Sequence, residues 1–275
     1  MRYPLTFLTG ILLLSGCNKP STPPNPVDLT PPINSSWTAP QNPNPRAILT
    51  EAEADAKAGK YDDALAKQVW FYTNALKYDS GLSGVRLSFA LSDWIVLGKV
   101  YPPALEKLKA FRDAAEMNVR RQTNVVDNFQ DFAAINKELN EDPKTVDLFV
   151  WLDSNKSSST KTVFDLAQPA LVKSQKYALL GKYTQAPYAI FDKAVQSHEK
   201  NMRLAQDPKF GTNLKDFADH KFINDVTTLI ALLMVTDRKA DAQRIVEEIK
   251  IQPGIPKFDE QIRKALNGEV PQPWP

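Results

Sequence analysis

Gly59-Lys60-Tyr61-Asp62-Asp63-Ala64-Leu65 joins two stretches with helical patterning, and the chain returns to this turn several times. Gly98-Lys99-Val100-Tyr101-Pro102-Pro103-Ala104-Leu105 is a second copy with one extra residue before the tyrosine. Gly181-Lys182-Tyr183-Thr184-Gln185-Ala186-Pro187 is a third, and Asp237-Arg238-Lys239-Ala240-Asp241-Ala242 is a worn fourth. The spacing predicts that each glycine ends a helix, because a residue just past a helix C-terminus often takes positive φ and only glycine does so cheaply. The tyrosine is expected to fold back over the turn. The small alanine is expected where the second helix approaches the first.

These residues resemble the tetratricopeptide repeat, a helix–turn–helix unit that stacks into a solenoid. Its inter-helix turn reads Gly-x-Tyr-x-x-Ala. Gly59, Tyr61 and Ala64 match it, as do Gly181, Tyr183 and Ala186, while Gly98, Tyr101 and Ala104 match with the insertion. Trp94, Leu97, Gly98 and Tyr101 also fit the family's first-helix signature. That frame is set aside, since it would carry a helix through Pro102 and Pro103, at about 3 kcal/mol or more for each backbone break. As turn and first-turn residues the prolines are favourable. The turns at 59, 98, 181 and 237 are spaced irregularly, where about 34 residues is typical of the family. The resemblance covers about half of the chain and implies an all-α, TPR-like helical-hairpin solenoid.

Residues 1–17 form a targeting segment, with Arg2 followed by an apolar run from Leu5 to Leu14. This run is too short to span a bilayer, which takes about 20 residues. Leu14-Ser15-Gly16-Cys17 resembles the bacterial lipobox, in which the cysteine is lipidated and becomes the mature N-terminus. Cys17 is the only cysteine of the chain. Its acyl chains imply durable anchoring, at about 0.8 kcal/mol per buried methylene. Asn18, by analogy with enterobacterial sorting, implies the outer membrane, facing the periplasm. Residues 18–45 are rich in proline and polar residues and are expected to form an extended tether. Trp37 is its one aromatic misfit, either a contact back to the domain or a docking anchor.

The repeat domain is expected over 46–267, and a proline-rich tail over 268–275. Helices are expected over 84–97, 103–121, 123–140, 162–180 with a kink or break near Pro169, 186–205, 213–235 and 240–249. A short helix over 258–266 is expected to cap the stack. Residues 123–158 depart from the repeat pattern and are expected to form an irregular helical insertion. No stretch alternates with period two, so no sheet is expected.

The formal charge of +2 over 275 residues offers no basic stripe for nucleic acid. With Cys17 lipidated, no thiol is left for disulfides or thiolate chemistry. His198-Glu199 opens like a zinc-protease helix, but Met202 stands where the second histidine belongs. Asp216, Asp219 and His220 fit an exposed ion pair at a helix end better than a metal site. No cofactor or metal is expected, and no catalysis. The polar residues that stand out are Ser88, Ser92 and Asp93, beside Trp94 in an otherwise apolar stretch. The repeat family's first helices line a partner-binding groove, which implies these three as groove residues. A plainer role for Asp93 is local pairing with Arg86 or a lysine. Tyr61, Trp70, Tyr101 and Tyr183 read as packing residues. The function expected is a protein- or peptide-binding scaffold of the envelope. The alternative is an outer-membrane lipoprotein that binds a glycan or other small ligand, and an envelope hydrolase is disfavoured by the missing motifs.

Overall fold

The computed structural model of the chain describes residues 34–207 and 213–274. The expected signal segment, Cys17 and most of the tether lie outside the described residues. Among the described residues the chain is all-helical, with no strand. The first helices are α1 (Pro45–Lys57), α2 (Tyr61–Tyr78), α3 (Ser83–Arg86), α4 (Phe89–Val100) and α5 (Pro102–Arg120). They are followed by α6 (Val125–Glu138), α7 (Asp142–Ser154), α8 (Thr160–Lys173) and α9 (Tyr177–Tyr183). The last are α10 (Pro187–Leu204), α11 (Asn213–Val235), α12 (Lys239–Ile251) and α13 (Asp259–Leu266). None of the described helices is long and apolar enough to cross a membrane.

Helix starts follow local chemistry. Asn44 caps α1, its side-chain oxygen accepting from the N–H groups of Arg46 (3.0 Å) and Ala47 (3.3 Å), with Pro45 at the first helical position. Pro102, Pro143 and Pro187 likewise fall in first turns, where a missing N–H costs nothing.

Several helix ends share one motif. After α1, Gly59 takes φ +75°, Lys60 N–H reaches back to Asp55 O (2.9 Å) and Gly59 N–H to Ala56 O (3.2 Å). This is the Schellman pattern expected at that turn. Helices α5, α6, α7, α8 and α11 end in the same way on Gln122, Asn140, Lys156, Gln175 and Asp237, each at positive φ. The left-handed conformation costs a residue with a Cβ roughly 1–2 kcal/mol, set against two carbonyls satisfied at each end.

That motif corrects two of the glycine turns. Gly181 lies inside α9, not at a helix end. The turn is six residues earlier, at Gln175-Lys176-Tyr177, where Lys176 N–H bonds Leu171 O at 2.9 Å. Helix α8 runs through Pro169 without interruption, and the expected helix over 162–180 divides at Gln175 into α8 and α9. Gly98 lies inside α4, which ends at Val100, and the turn is Tyr101 alone. Both glycines serve close approach. A Cβ on Gly98 would meet the Leu105 Cβ at 2.9 Å and backbone N at 3.2 Å, and one on Gly181 would meet the Thr236 methyl at 2.8 Å. The worn fourth copy is a turn as expected, with Asp237 in the glycine's place.

The helices pack in chain order. Their main partners lie one or two places away, from α1 on α2 through α4 on α5 and α6 to α11 on α10, α12 and α13. Helix α6 packs on α5 and α8, and α7 on α6 and α8, so residues 123–158 form helices that pack against their neighbours in the chain. The expected helix over 84–97 is broken at Leu87 and Ser88 into α3 and α4. Four buried clusters follow one another. Phe71 and Leu82 mark the first, Leu65, Trp94 and Leu108 the second, Phe129, Phe149 and Leu171 the third, and Phe222, Ile245 and Phe258 the last. Helix α13 covers the far end by burying Ile262 and Ala265 against α11.

Candidate functional site

The three expected groove residues point to different neighbours. Ser88 turns back on its own chain and donates to Gly84 O at 2.7 Å. Ser92 donates to Glu138 on α6 at 2.8 Å. Asp93 faces α1, where burial and then the neighbouring Glu53 push its carboxyl above the usual carboxylate range, against the pull of Lys57. Successive helical residues diverge by about 100°, so Ser92 meets α6 while Asp93 lies toward α1. Arg86 does not pair with Asp93; it pairs with Asp131 on α6. Trp94 is fully buried and donates its indole N–H to Ala104 O at 2.8 Å.

The turn tyrosines tie helix pairs together. Tyr101 stacks on Tyr61, with centroids 5.7 Å apart, and donates to Asp62 at 2.6 Å. That bond to a carboxylate, helped by burial, pushes the phenol up to about 12. Tyr183 stacks on Phe164 at 5.1 Å and donates to Asp153, and burial with this bond takes it to about 12 as well. Ala64 and Ala104 are fully buried where helices meet. Ala186 is exposed at the start of α10, because the turn it was assigned to lies elsewhere.

The histidines do other work. His198 is buried against Phe222 and bonds Asp219 through Nε2 at 2.7 Å. His220 forms no ion pair with Asp216; its Nδ1 meets the backbone oxygen of that residue at 2.8 Å. No cluster of metal-ligating side chains occurs among the described residues.

Two segments outside the helices lie against them. Near the start, Ser35 donates to Asp63 at 2.9 Å and Trp37 sets its edge on Trp70 at 6.4 Å with Lys67 over its ring, so the described end of the expected tether is docked on α2. At the other end, Val270–Trp274 crosses α11. The Asn224 side chain donates to Gln272 O at 2.8 Å and accepts from Trp274 N–H at 3.0 Å. The Trp274 indole lies flat on the His220 ring, with centroids 5.0 Å apart and planes 5° apart. Between the tail, α11 and α13 lies a recess of about 310 Å³, lined by Ile223, Thr227, Gln261, Lys264 and Pro271 among others.

His220 stands out by residue type, as one of two histidines, but reads as half of an ion pair; Asn224 does not stand out. Asp216, His220 and Asn224 recur every fourth residue and so share one face of α11, but Lys215, Asp219, Lys221 and Asp225 are interspersed among them, so spacing alone does not single them out.

Searched against family models, curated proteins and solved structures, the chain matches none at a significant level.

Proposed function

We propose that the chain is a lipid-anchored, non-catalytic scaffold of the bacterial cell envelope, built from TPR-like helical pairs, that binds extended segments of other proteins. The observation that carries this reading is the grip on Gln272 and Trp274. One amide side chain holds main-chain groups on both sides of Pro273, and an aromatic ring receives the adjacent side chain. Main-chain bonds give affinity for any extended segment, and side-chain platforms give selectivity. Helices packed in chain order support a repeat scaffold, since such stacks present long surfaces to partners. The lipobox-like run ending at Cys17, followed by a proline-rich tether, supports attachment to the outer membrane facing the periplasm.

The test of the anchor is membrane fractionation of the full chain with Cys17→Ser. The reading expects an uncleaved precursor that no longer partitions into detergent like the mature protein. Cleavage after residue 16 with unchanged membrane retention would refute it.

A second reading, capture of a small polar ligand such as a glycan, is favoured by a recess of about 280 Å³. Its lining includes Tyr72, Phe111, Arg86, Asp131, Asn118 and Asn128, which combine aromatic faces with hydrogen-bonding groups. Calorimetric titration with envelope oligosaccharides tests it, and heat of binding that survives Arg86→Met would remove this recess from consideration.

A further inference from the structure

We propose that the face formed by α11 and α13 is a binding site for a proline-flanked tryptophan segment of another protein, and that the chain's own tail occupies it as a resident competitor. This rests on the scaffold reading above and adds the place and the ligand chemistry.

Three observations carry it. The first is the register of the clamp. Proline at 273 has no N–H to offer, and Asn224 takes the carbonyl before it and the N–H after it. The clamp therefore reads a short extended run around a proline through the main chain, whatever molecule supplies it. The second is the platform. His220 lies parallel to the Trp274 indole, a geometry suited to a flat aromatic side chain. The third is that the tail is lightly held at its tip. Trp274 keeps 40% of its surface exposed although it is the largest side chain of the segment. Val270, by contrast, is packed against two of the buried clusters. The segment is thus held more firmly at Val270 than at Trp274. The recess of about 310 Å³ beside the tip, bounded by Gln261 and Lys264 of α13, leaves room for side chains that the tail lacks.

A tethered segment meets its site at an effective concentration on the order of millimolar. The resident tip therefore hides the site from weak ligands and yields to a partner that fills the recess as well.

The experiment measures fluorescence anisotropy of a labelled peptide, Val-Pro-Gln-Pro-Trp-Pro, against the full chain. Trp274→Ala loosens the resident tip and leaves His220 and Asn224 in place. The proposal expects this variant to bind the peptide at least tenfold more tightly than the unaltered chain. Adding Asn224→Ala, or separately His220→Ala, should reduce that binding at least tenfold, with circular dichroism and thermal midpoint unchanged. Because these three side chains lie outside the buried clusters, folding is retained; Asn224→Asp, which keeps the acceptor and loses the donor, gives an intermediate loss as a second lesion. Equal binding by the unaltered and Trp274→Ala chains, or binding indifferent to Asn224 and His220, overturns the proposal. So does concentration-dependent dimerisation of the unaltered chain that Trp274→Ala abolishes, since the occupant would then be a second copy. The scaffold reading fails separately, when no partner contacts any surface of the protein in cells.

Discussion

Replacing Gly181 by alanine separates two physical reasons for a glycine. If Gly181 sat at positive φ, the added Cβ would cost roughly 1–2 kcal/mol whatever surrounds it. In the structure it is helical and buried, and the added Cβ meets the Thr236 methyl at 2.8 Å. Ordinary carbon contacts lie at about 3.5–4.0 Å. The methyl cannot swing away freely, because Thr236 Oγ1 donates to Leu232 O at 2.6 Å and fixes the side chain. Overpacking of this kind costs about 1–3 kcal/mol, partly offset by about 1 kcal/mol of helix preference for alanine over glycine. Gly181→Ala should therefore lose about 1 kcal/mol. Thr236→Ser removes the methyl, keeps the hydroxyl, and leaves the Thr236 Cβ position at 3.4 Å from the new group. In that background the same substitution should be neutral or stabilising, so the two changes couple by about 1–2 kcal/mol. Amide hydrogen exchange over α9 and α11 is the assay, because helices packed in chain order open locally. A loss of equal size in both backgrounds would refute close packing and restore a positive-φ turn.

Gly59→Ala should cost about 1 kcal/mol with no partner able to relieve it, since φ is +75° and no atom lies within 4 Å of the added Cβ. Gly84→Ala, in α3 with equally open space, should instead gain about 0.5–1 kcal/mol; chemical denaturation of the two variants checks the opposite signs. Tyr101→Phe removes the bond to Asp62 and should cost about 1 kcal/mol near neutral pH. The Tyr101 phenol is raised to about 12 from an ordinary 10.0, so its contribution is complete below pH 10 and is lost as pH rises through 12. The difference in melting temperature between the wild type and Tyr101→Phe should therefore close over that interval, and a gap that widens would contradict the hydroxyl's role as donor.

Periodicity made the helices legible. The apolar spacing in 213–235 coincides with α11 at its C-terminal end, Val235, and Phe258 to Leu266 with α13 to within one. Pro102 and Pro103 marked the start of α5 because the fixed φ of proline suits a first turn. Helix ends were less legible. The Schellman bonds are made by backbone groups, so Gln175 and Lys156 take the left-handed position with no glycine to announce it. The same sequence offers Gln175-Lys176-Tyr177 and Gly181-Lys182-Tyr183 six residues apart, and the second, which carries the glycine, is the one inside a helix. Its glycine answers to Thr236, more than fifty residues away, and no local pattern reports that contact. The site was hidden for the same reason. Ser92 and Asp93 are neighbours in sequence but face α6 and α1, whereas Asn224 and Trp274 are fifty residues apart and bonded.

Under the proposed function, the α11–α13 face holds extended segments of envelope proteins. Photo-cross-linking in intact cells tests it most directly, with a photoreactive residue at Gln261 beside the recess and, as a control, at Lys57 on α1. The account predicts adducts from Gln261 whose cross-linked peptides, identified by mass spectrometry, are proline-containing extended segments. It also predicts that Asn224→Ala abolishes them and that Lys57 yields none. The absence of adducts at Gln261, or the same adducts from Lys57 surviving Asn224→Ala, would contradict it.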